Sequence, residues 1–204
     1  ITVIHGAIGC FEDKLFGPLN EKYESYVQMM AQNTEQLVRL AHDLLDLTKM
    51  SAGRFSIQKQ RADIRQIIVN ACQALETIVE KRHIQIVFPF DTLPPLVMDV
   101  DPQRMKQVVS NIVRNALRFS KTRVDIRLER GGSADSQCRL IIDDDGPGID
   151  PDDLPNVFEK FYQGKIQDKS TRGSGLGLAI VQGIVEGHGG KVFAPVFQPG
   201  VHAA

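Results

Sequence analysis

Two asparagines one helical turn apart, Asn111 and Asn115, are the first residues in this chain whose type and spacing ask for a chemical explanation. With Gln107 and Arg118 they fall at intervals of four, four and three, which aligns amides and a cation along one helix face. Met105, Val108, Ile112, Ala116 and Phe119 form an apolar stripe on another face of the same helix. Asparagine is a mediocre helix former, so propensity does not account for the pair. A side-chain carbonyl oxygen is a neutral hard ligand suited to Mg2+, which keeps several waters and takes the rest of its shell from phosphates. A solvated polar face is the competing reading.

Further along, Ile141-Ile142-Asp143-Asp144-Asp145-Gly146-Pro147-Gly148-Ile149 runs an apolar strand into three carboxylates and a Gly-x-Gly turn. Adjacent carboxylates repel, so something must gain from them. Asp144 is the candidate for reading adenine: an ionised carboxylate only accepts hydrogen bonds, the exocyclic amine of adenine donates, and guanine presents an acceptor there instead. Gly146 and Gly148 allow backbone geometry and a close ligand approach that a Cβ would obstruct. An acidic turn or a Ca2+ loop is the alternative, without the alternating ligands and distal Glu of an EF-hand. A third stretch, Gly173-Ser174-Gly175-Leu176-Gly177-Leu178-Ala179-Ile180, is a glycine-rich turn opening an apolar helix. Free amides and the helix dipole attract phosphate at such a start. No Gly-Lys-Ser/Thr follows, so it is not a Walker motif, and a tight turn into the helix explains the glycines equally well.

Elements must carry these residues. Residues 1–52 read as two helices joined at Phe16-Gly17-Pro18-Leu19. In the second, Tyr26, Met30, Asn33, Leu37, Leu40, Leu44 and Leu47 step by four and three, a bundle seam with one polar interruption. A hairpin cannot cover such a seam alone, so the spacing predicts a homodimer closed as a four-helix bundle; folding back onto its own domain is the alternative. Gly53 ends the second helix, Arg54-Phe55-Ser56-Ile57-Gln58 alternates like a strand, and the domain boundary is placed at 52 to 54. Beyond it the expected elements are helix 63–81, strand 83–88, helix 101–119, strands 123–130 and 138–144, helix 175–187 and strand 190–194. The Gly131-Gly132-Ser133 link implies that strands 123–130 and 138–144 pair antiparallel. The fold class is therefore α+β: a two-layer α/β sandwich over 54–204, helices on one face of a mixed sheet, preceded by the hairpin.

Composition narrows the partners. The chain has 204 residues, 42% hydrophobic and 24% charged, with a formal charge of −1, so nucleic acid and anionic membrane are not expected partners. Cys10, Cys72 and Cys138 are widely spaced without a CxxC, which argues for reduced thiols in a cytoplasmic setting and against a zinc site. No apolar run approaches about 18 residues, so no membrane contact is expected from this piece, although an anchor could lie upstream.

In chain order, the paired asparagines, Asp144-x-Gly146-x-Gly148, Phe158-Glu159-Lys160-Phe161 and Gly173-x-Gly175-Leu176-Gly177 resemble the N box, first glycine box, F box and second glycine box of the histidine kinase branch of the GHKL (Bergerat-type) ATPases. Leu44-Leu45-Asp46-Leu47 followed by Gly53 is similar to the second dimerisation helix of these kinases, so the resemblance covers nearly the whole chain. It implies ATP and Mg2+ as cofactors, with Asn115 holding the ion, Asn111 supporting it, Asp144 reading adenine and Arg118 in place of the usual lysine near the phosphates. Gly146, Gly148, Lys160, Arg172, Gly173, Gly175, Leu176 and Gly177 complete the implied nucleotide site. The segment 150–173, with Lys160, Lys165, Lys169 and Arg172, corresponds to the family's mobile ATP lid. Phe119 stands where Tyr is common and Gln163 where a basic residue often follows, departures that bear on affinity or turnover.

The resemblance further implies transfer of the γ-phosphoryl group to a histidine of the dimerisation helix, then to an aspartate of a response-regulator receiver domain. His5 is followed by Gly6 and Ala7, and His42 lacks the downstream Thr/Asn and Pro of the family's acceptor, so the acceptor is expected before Ile1 and this piece is expected not to autophosphorylate. His83 and His188 are read as structural or solvent-facing, the latter favouring its helix terminus when charged. A further strand of the family is expected beyond Ala204. Two rival readings are a degenerate module that recruits other kinases without catalysis, and a GHKL ATPase of the topoisomerase, mismatch-repair or chaperone type. The latter needs an acid in the asparagine helix, where Gln107, Ser110 and Asn111 are not acidic.

Overall fold

Apolar spacing organises the first stretch into helices α1 (Thr2–Glu12) and α2 (Glu21–Ser51). The Asn20 side chain caps α2 by accepting from the Tyr23 N–H at 3.1 Å, and Gly53, at φ +65°, supplies the left-handed residue that follows its end. The structure, a computed structural model, describes residues 2–13, 15, 17, 19–89, 94–131, 137–164 and 173–194. It divides the chain into two units, Ile1–Phe55 and Ser56–Ala204. In the first, Ile8 packs on Val27 and Ala31 with Leu19 against them. The seam of α2 stays open: Leu37 is 58% exposed and Leu44 51%, with Tyr26 and Met30 close behind, whereas Leu47 is buried.

The second unit runs β1 (Gln60–Asp63), α3 (Ile64–Gln73), α4 (Glu76–Arg82), β2 (Gln85–Val87), β3 (Val97–Val100), α5 (Pro102–Phe119), β4 (Arg123–Gly131), β5 (Gln137–Asp144) and α6 (Gly177–Gly187). β4 is the centre of a mixed sheet, parallel to β2 and antiparallel to β5; β1 and β3 form a separate antiparallel pair. Along β4 the side chains alternate: Val124, Ile126 and Leu128 enter the core, while Arg123, Asp125, Arg127 and Glu129 point away from it. The outward face is laced by Arg123–Asp125 and Arg127–Asp143 ion pairs, as expected of a sheet covered on one side only. Helix α5 lies in the helical layer, packed against α3, α6 and the sheet.

Several expectations need correction. The predicted helix 63–81 is two helices, because Leu75 leaves helical dihedrals (φ −109°, ψ 3°) while its side chain stays buried. The apolar period of Ile68, Ala71, Leu75 and Val79 continues across the break, so spacing alone reads it as one helix. Residues 54–58 form no ladder: the Gln58 N–H is taken by the Asp101 carboxylate at 3.0 Å, and strand pairing begins only at Gln60, opposite Val100. The partner strand β3 is absent from the sequence reading. The core stripe of α5 is centred on Val109, Val113 and Leu117 and flanked by Val108 and Ala116; Phe119 is 37% exposed, because α5 buries toward two helices as well as the sheet. Residues 191–194 form no strand ladder among the described residues. Phe16, Pro18, Gly132, Ser133 and the tail from 195 lie outside the described residues.

Candidate functional site

Helix α5 starts at Asp101, whose carboxylate accepts from the Gln103 and Arg104 N–H groups at 3.1 Å each, with Pro102 in the first turn. Helix α6 runs back along α5, held at three points. The Asp101 N–H donates to His188 Nε2 at 2.9 Å, Asn111 Nδ2 donates to the Gly177 carbonyl at 3.4 Å, and the Arg118 guanidinium lies against Gly173. An added Cβ on Gly173 would sit 2.4 to 3.0 Å from that guanidinium, so a larger residue would push the arginine tip out of this position. Asn115 lies on the same stripe between Asn111 and Arg118, and therefore faces the Gly173–Gly177 segment. Among the described residues its side chain makes no hydrogen bond. Burial holds the Arg118 guanidinium below its ordinary value.

His188 is structural, one of its two sequence readings, but not as a charged group at its helix terminus. Its Nε2 accepts from Asp101 while Nδ1 faces the Ile184 carbonyl at 2.8 Å, so Nδ1 carries the proton and the pairing uses the neutral ring rather than the charged one.

The three carboxylates after β5 separate into three environments. Asp143 points outward to Arg127 at 2.5 Å. Asp145 accepts from the Lys121 N–H at 2.7 Å, the Thr122 N–H at 3.0 Å and the Thr122 hydroxyl at 2.6 Å, and these donors pull its carboxyl down to about 2. Asp144 stands in register with fully buried Val124 and so lies on the helix-covered face, where its Oδ1 accepts from the Gly146 N–H at 2.9 Å. Burial pushes its carboxyl up; the Gly146 hydrogen bond opposes this and the charges of Asp145 and Asp143 add to it. Gly146 abuts the end of α5: a Cβ there would meet the Phe119 carbonyl oxygen at 2.7 Å. Gly148 adopts φ +75°.

The F-box turn closes the cluster. Phe161, at φ +65°, donates its N–H to the Gly175 carbonyl at 2.8 Å, and Gly175, at φ +68°, packs so closely that a Cβ would fall 2.6 Å from the Phe161 carbonyl carbon. Gln163 Nε2 donates to the Gly173 carbonyl at 2.7 Å, and the Leu176 N–H is taken by Ser174 Oγ at 3.2 Å. Leu176 itself is buried, and Lys160 is exposed on the F-box turn. Lys165, Lys169 and Arg172 lie outside the described residues. The structure thus brings Asn111, Arg118, Gly173 and Gly177 into contact, sets Asp144 and Gly146 at the end of the same helix, and stacks Phe161 on Gly175. Sequence reasoning missed Gln163 and Ser174 as supports of the glycine turn, and Asp145 as the tie between β5 and the residues after α5. Only the three-acid run hinted at the last. Cys10, Cys72 and Cys138 are free thiols; burial pushes Cys72 up to about 11 and raises Cys138, so neither is an activated thiolate.

Residues 100–200 match the family described as histidine kinase-, DNA gyrase B-, and HSP90-like ATPase. Histidine protein kinase DivJ of Caulobacter vibrioides is 30% identical over 194 residues, covering 94% of this chain and 32% of its own length. Curated relatives of this kind are spanned over 19% to 32% of their length. Among solved structures, full-length ShkA in complex with AMPPNP superposes with a TM-score of 0.67 at 25% identity, covering 92% of this chain and 39% of that one. The mycobacterial sensor histidine kinase MprB is 32% identical with a TM-score of 0.53, over 64% of this chain and 80% of its own. On these matches, the chain belongs to the sensor histidine kinase family and carries its catalytic domain.

Proposed function

We propose that the Ser56–Ala204 unit binds ATP with Mg2+ and that its parent protein is a histidine kinase of a two-component system. The observation that carries this reading is the convergence of the asparagine stripe, the Asp144–Gly146 turn and the Gly173–Gly177 turn on the C-terminal half of α5. In this reading Asp144 accepts from the adenine amine, and the burial that raises its carboxyl also reduces competition from water. The amides of the Gly173–Gly177 turn, the start of α6 and the Arg118 charge receive the phosphates. The Asn111 amide N–H donates to Gly177, which suits a supporting role, and the Asn115 carbonyl oxygen one turn on is the ligand we assign to the metal. No trio of His, Cys, Asp or Glu among the described residues could hold an ion unaided, which suits Mg2+ arriving with phosphate oxygens and water. When bound, the ion would neutralise charge on the transferred phosphoryl group.

Phosphoryl transfer needs positioning more than covalent chemistry from the protein. The imidazole nitrogen of a dimerisation-helix histidine, one not carried by this chain, forms a bond to the γ-phosphorus as the bond to the bridging oxygen breaks and ADP leaves. A receiver-domain aspartate of a response regulator then takes the phosphoryl group. The open seam of α2 supports homodimerisation as the way to bring helix and nucleotide together. Free thiols and the dependence on ATP support a cytoplasmic setting for the catalytic unit; no helix among the described residues is long and apolar enough to cross a membrane.

Calorimetric titration with ATP and GTP in the presence of Mg2+ tests the nucleotide reading. ATP should bind in preference to GTP, and Asp144→Asn should weaken ATP by about 10-fold or more, the scale of a hydrogen bond to a charged group. Equal affinity of the unmodified chain for both nucleotides would refute the adenine-reading role.

A further inference from the structure

We infer that Asp153 and Tyr162 are positioning residues for the Gly173–Gly177 turn, acting on the phosphates of a nucleotide without touching it. The inference rests on the nucleotide reading above and adds to it two side chains outside the ligand set. Asp153 is 4% exposed, a burial that a carboxylate tolerates only with good partners. The Tyr162 hydroxyl donates to its Oδ1 at 2.7 Å. Its Oδ2 lies against Gly164, where a Cβ would come within 2.5 Å. One buried carboxylate therefore ties residue 162 and abuts residue 164, which constrains the path of the chain between them.

What that path supports is the glycine turn. Phe161 is held at φ +65°, a conformation that is strained for a non-glycine residue and persists only where the surroundings enforce it. The residue is 64% exposed, so burial does not supply the enforcement. Tyr162, the next residue, is the one tied to Asp153. In that conformation the Phe161 N–H reaches the Gly175 carbonyl at 2.8 Å, and the Phe161–Tyr162 peptide packs on Gly175 too closely for any Cβ. Gln163, the residue after Tyr162, reaches the Gly173 carbonyl. The supporting turn thus engages the carbonyls of residues 173 and 175, the side of the glycine turn opposite in polarity to the N–H groups that a phosphate needs. Loosening the Tyr162–Asp153 tie should misaim those N–H groups while leaving the Asp144 end of the site, on β5, unchanged.

The test compares ATP with adenosine, which keeps the base and lacks the phosphates. In the full chain, Tyr162→Phe should weaken ATP about 3- to 10-fold, a fraction of what a hydrogen bond to a carboxylate is worth, because the tie reaches the phosphates only through the turn. Adenosine affinity should stay within about 2-fold, on the same scale. Asp153→Ala should act likewise, and the double variant should be no worse than the more severe single one, the signature of two groups acting through one contact. ATP and adenosine weakened in parallel, ATP unaffected by Tyr162→Phe, or additive losses in the double variant would each overturn the positioning role. An unmodified chain without ATP affinity would overturn the nucleotide reading as well, whereas one that binds ATP alongside indifferent variants would overturn this inference alone.

Discussion

At Asp145, two backbone N–H groups and a threonine hydroxyl converge on one carboxylate, while its neighbour Asp144 loses water to the helical layer and accepts from the Gly146 N–H. Strand alternation causes the divergence, because consecutive residues leaving β5 point to opposite sides. The two groups carry opposite pH linkage. Asp145 has a folded value of about 2 against an ordinary 3.8, so its contribution to stability is fully present above about 3.8 and is lost as pH falls toward about 2. Asp144 is raised, so the folded state holds its proton more readily than the unfolded chain, and its contribution declines as pH rises from the ordinary 3.8 through the raised folded value. Asp145→Asn should therefore flatten the acid limb of the stability curve, measured as melting temperature between pH 5 and 2. Parallel limbs for variant and unmodified chain would contradict the assignment.

On the scale of elements, the pairing of α5 with α6 decides whether the motifs meet. Contacts near both ends set it: Asp101 with His188 at one, Arg118 with Gly173 at the other. Arg82 adds a brace at the second end, donating from Nη1 to the Leu117 and Arg118 carbonyls at 2.5 and 2.7 Å, where a helix leaves its last carbonyls unpaired. His188→Ala leaves the Asp101 N–H without its acceptor. Chemical denaturation should show a loss of about 1 to 2 kcal/mol, read as a lower midpoint at unchanged slope. An unaltered midpoint would mean that solvent replaces the imidazole without cost.

For the molecule as a whole, the apolar seam of α2 is a feature that the single chain leaves uncovered among the described residues. Tyr26, Met30, Leu37 and Leu44 are each about half exposed, although they recur at the spacing of a buried seam. A second copy of the hairpin would cover them. Sedimentation should find a dimer, and the pair Leu37→Glu with Leu44→Glu should yield a monomer whose ATP affinity, a property of the other unit, is unchanged. A chain that sediments as a monomer at tens of micromolar before substitution would remove the four-helix bundle from the account.

Spacing within the sequence was sufficient for the long helices α2 and α5, for the antiparallel pairing of β4 with β5, and for the three motifs. Each depends on interactions between residues near one another in the chain, where periodicity, caps and glycines act directly. The β1–β3 pair, the break at Leu75 and the centring of the α5 core on Val113 were not legible, because each depends on a surface presented by residues far away in sequence. The same holds inside the site. Asn115, Asp144 and Gly175 could be proposed as site residues from residue chemistry together with the family resemblance. That Gly173 abuts a guanidinium, that Gly175 must fit beneath Phe161, and that His188 serves α5 as a neutral acceptor follow only from packing two helices and a turn into van der Waals contact.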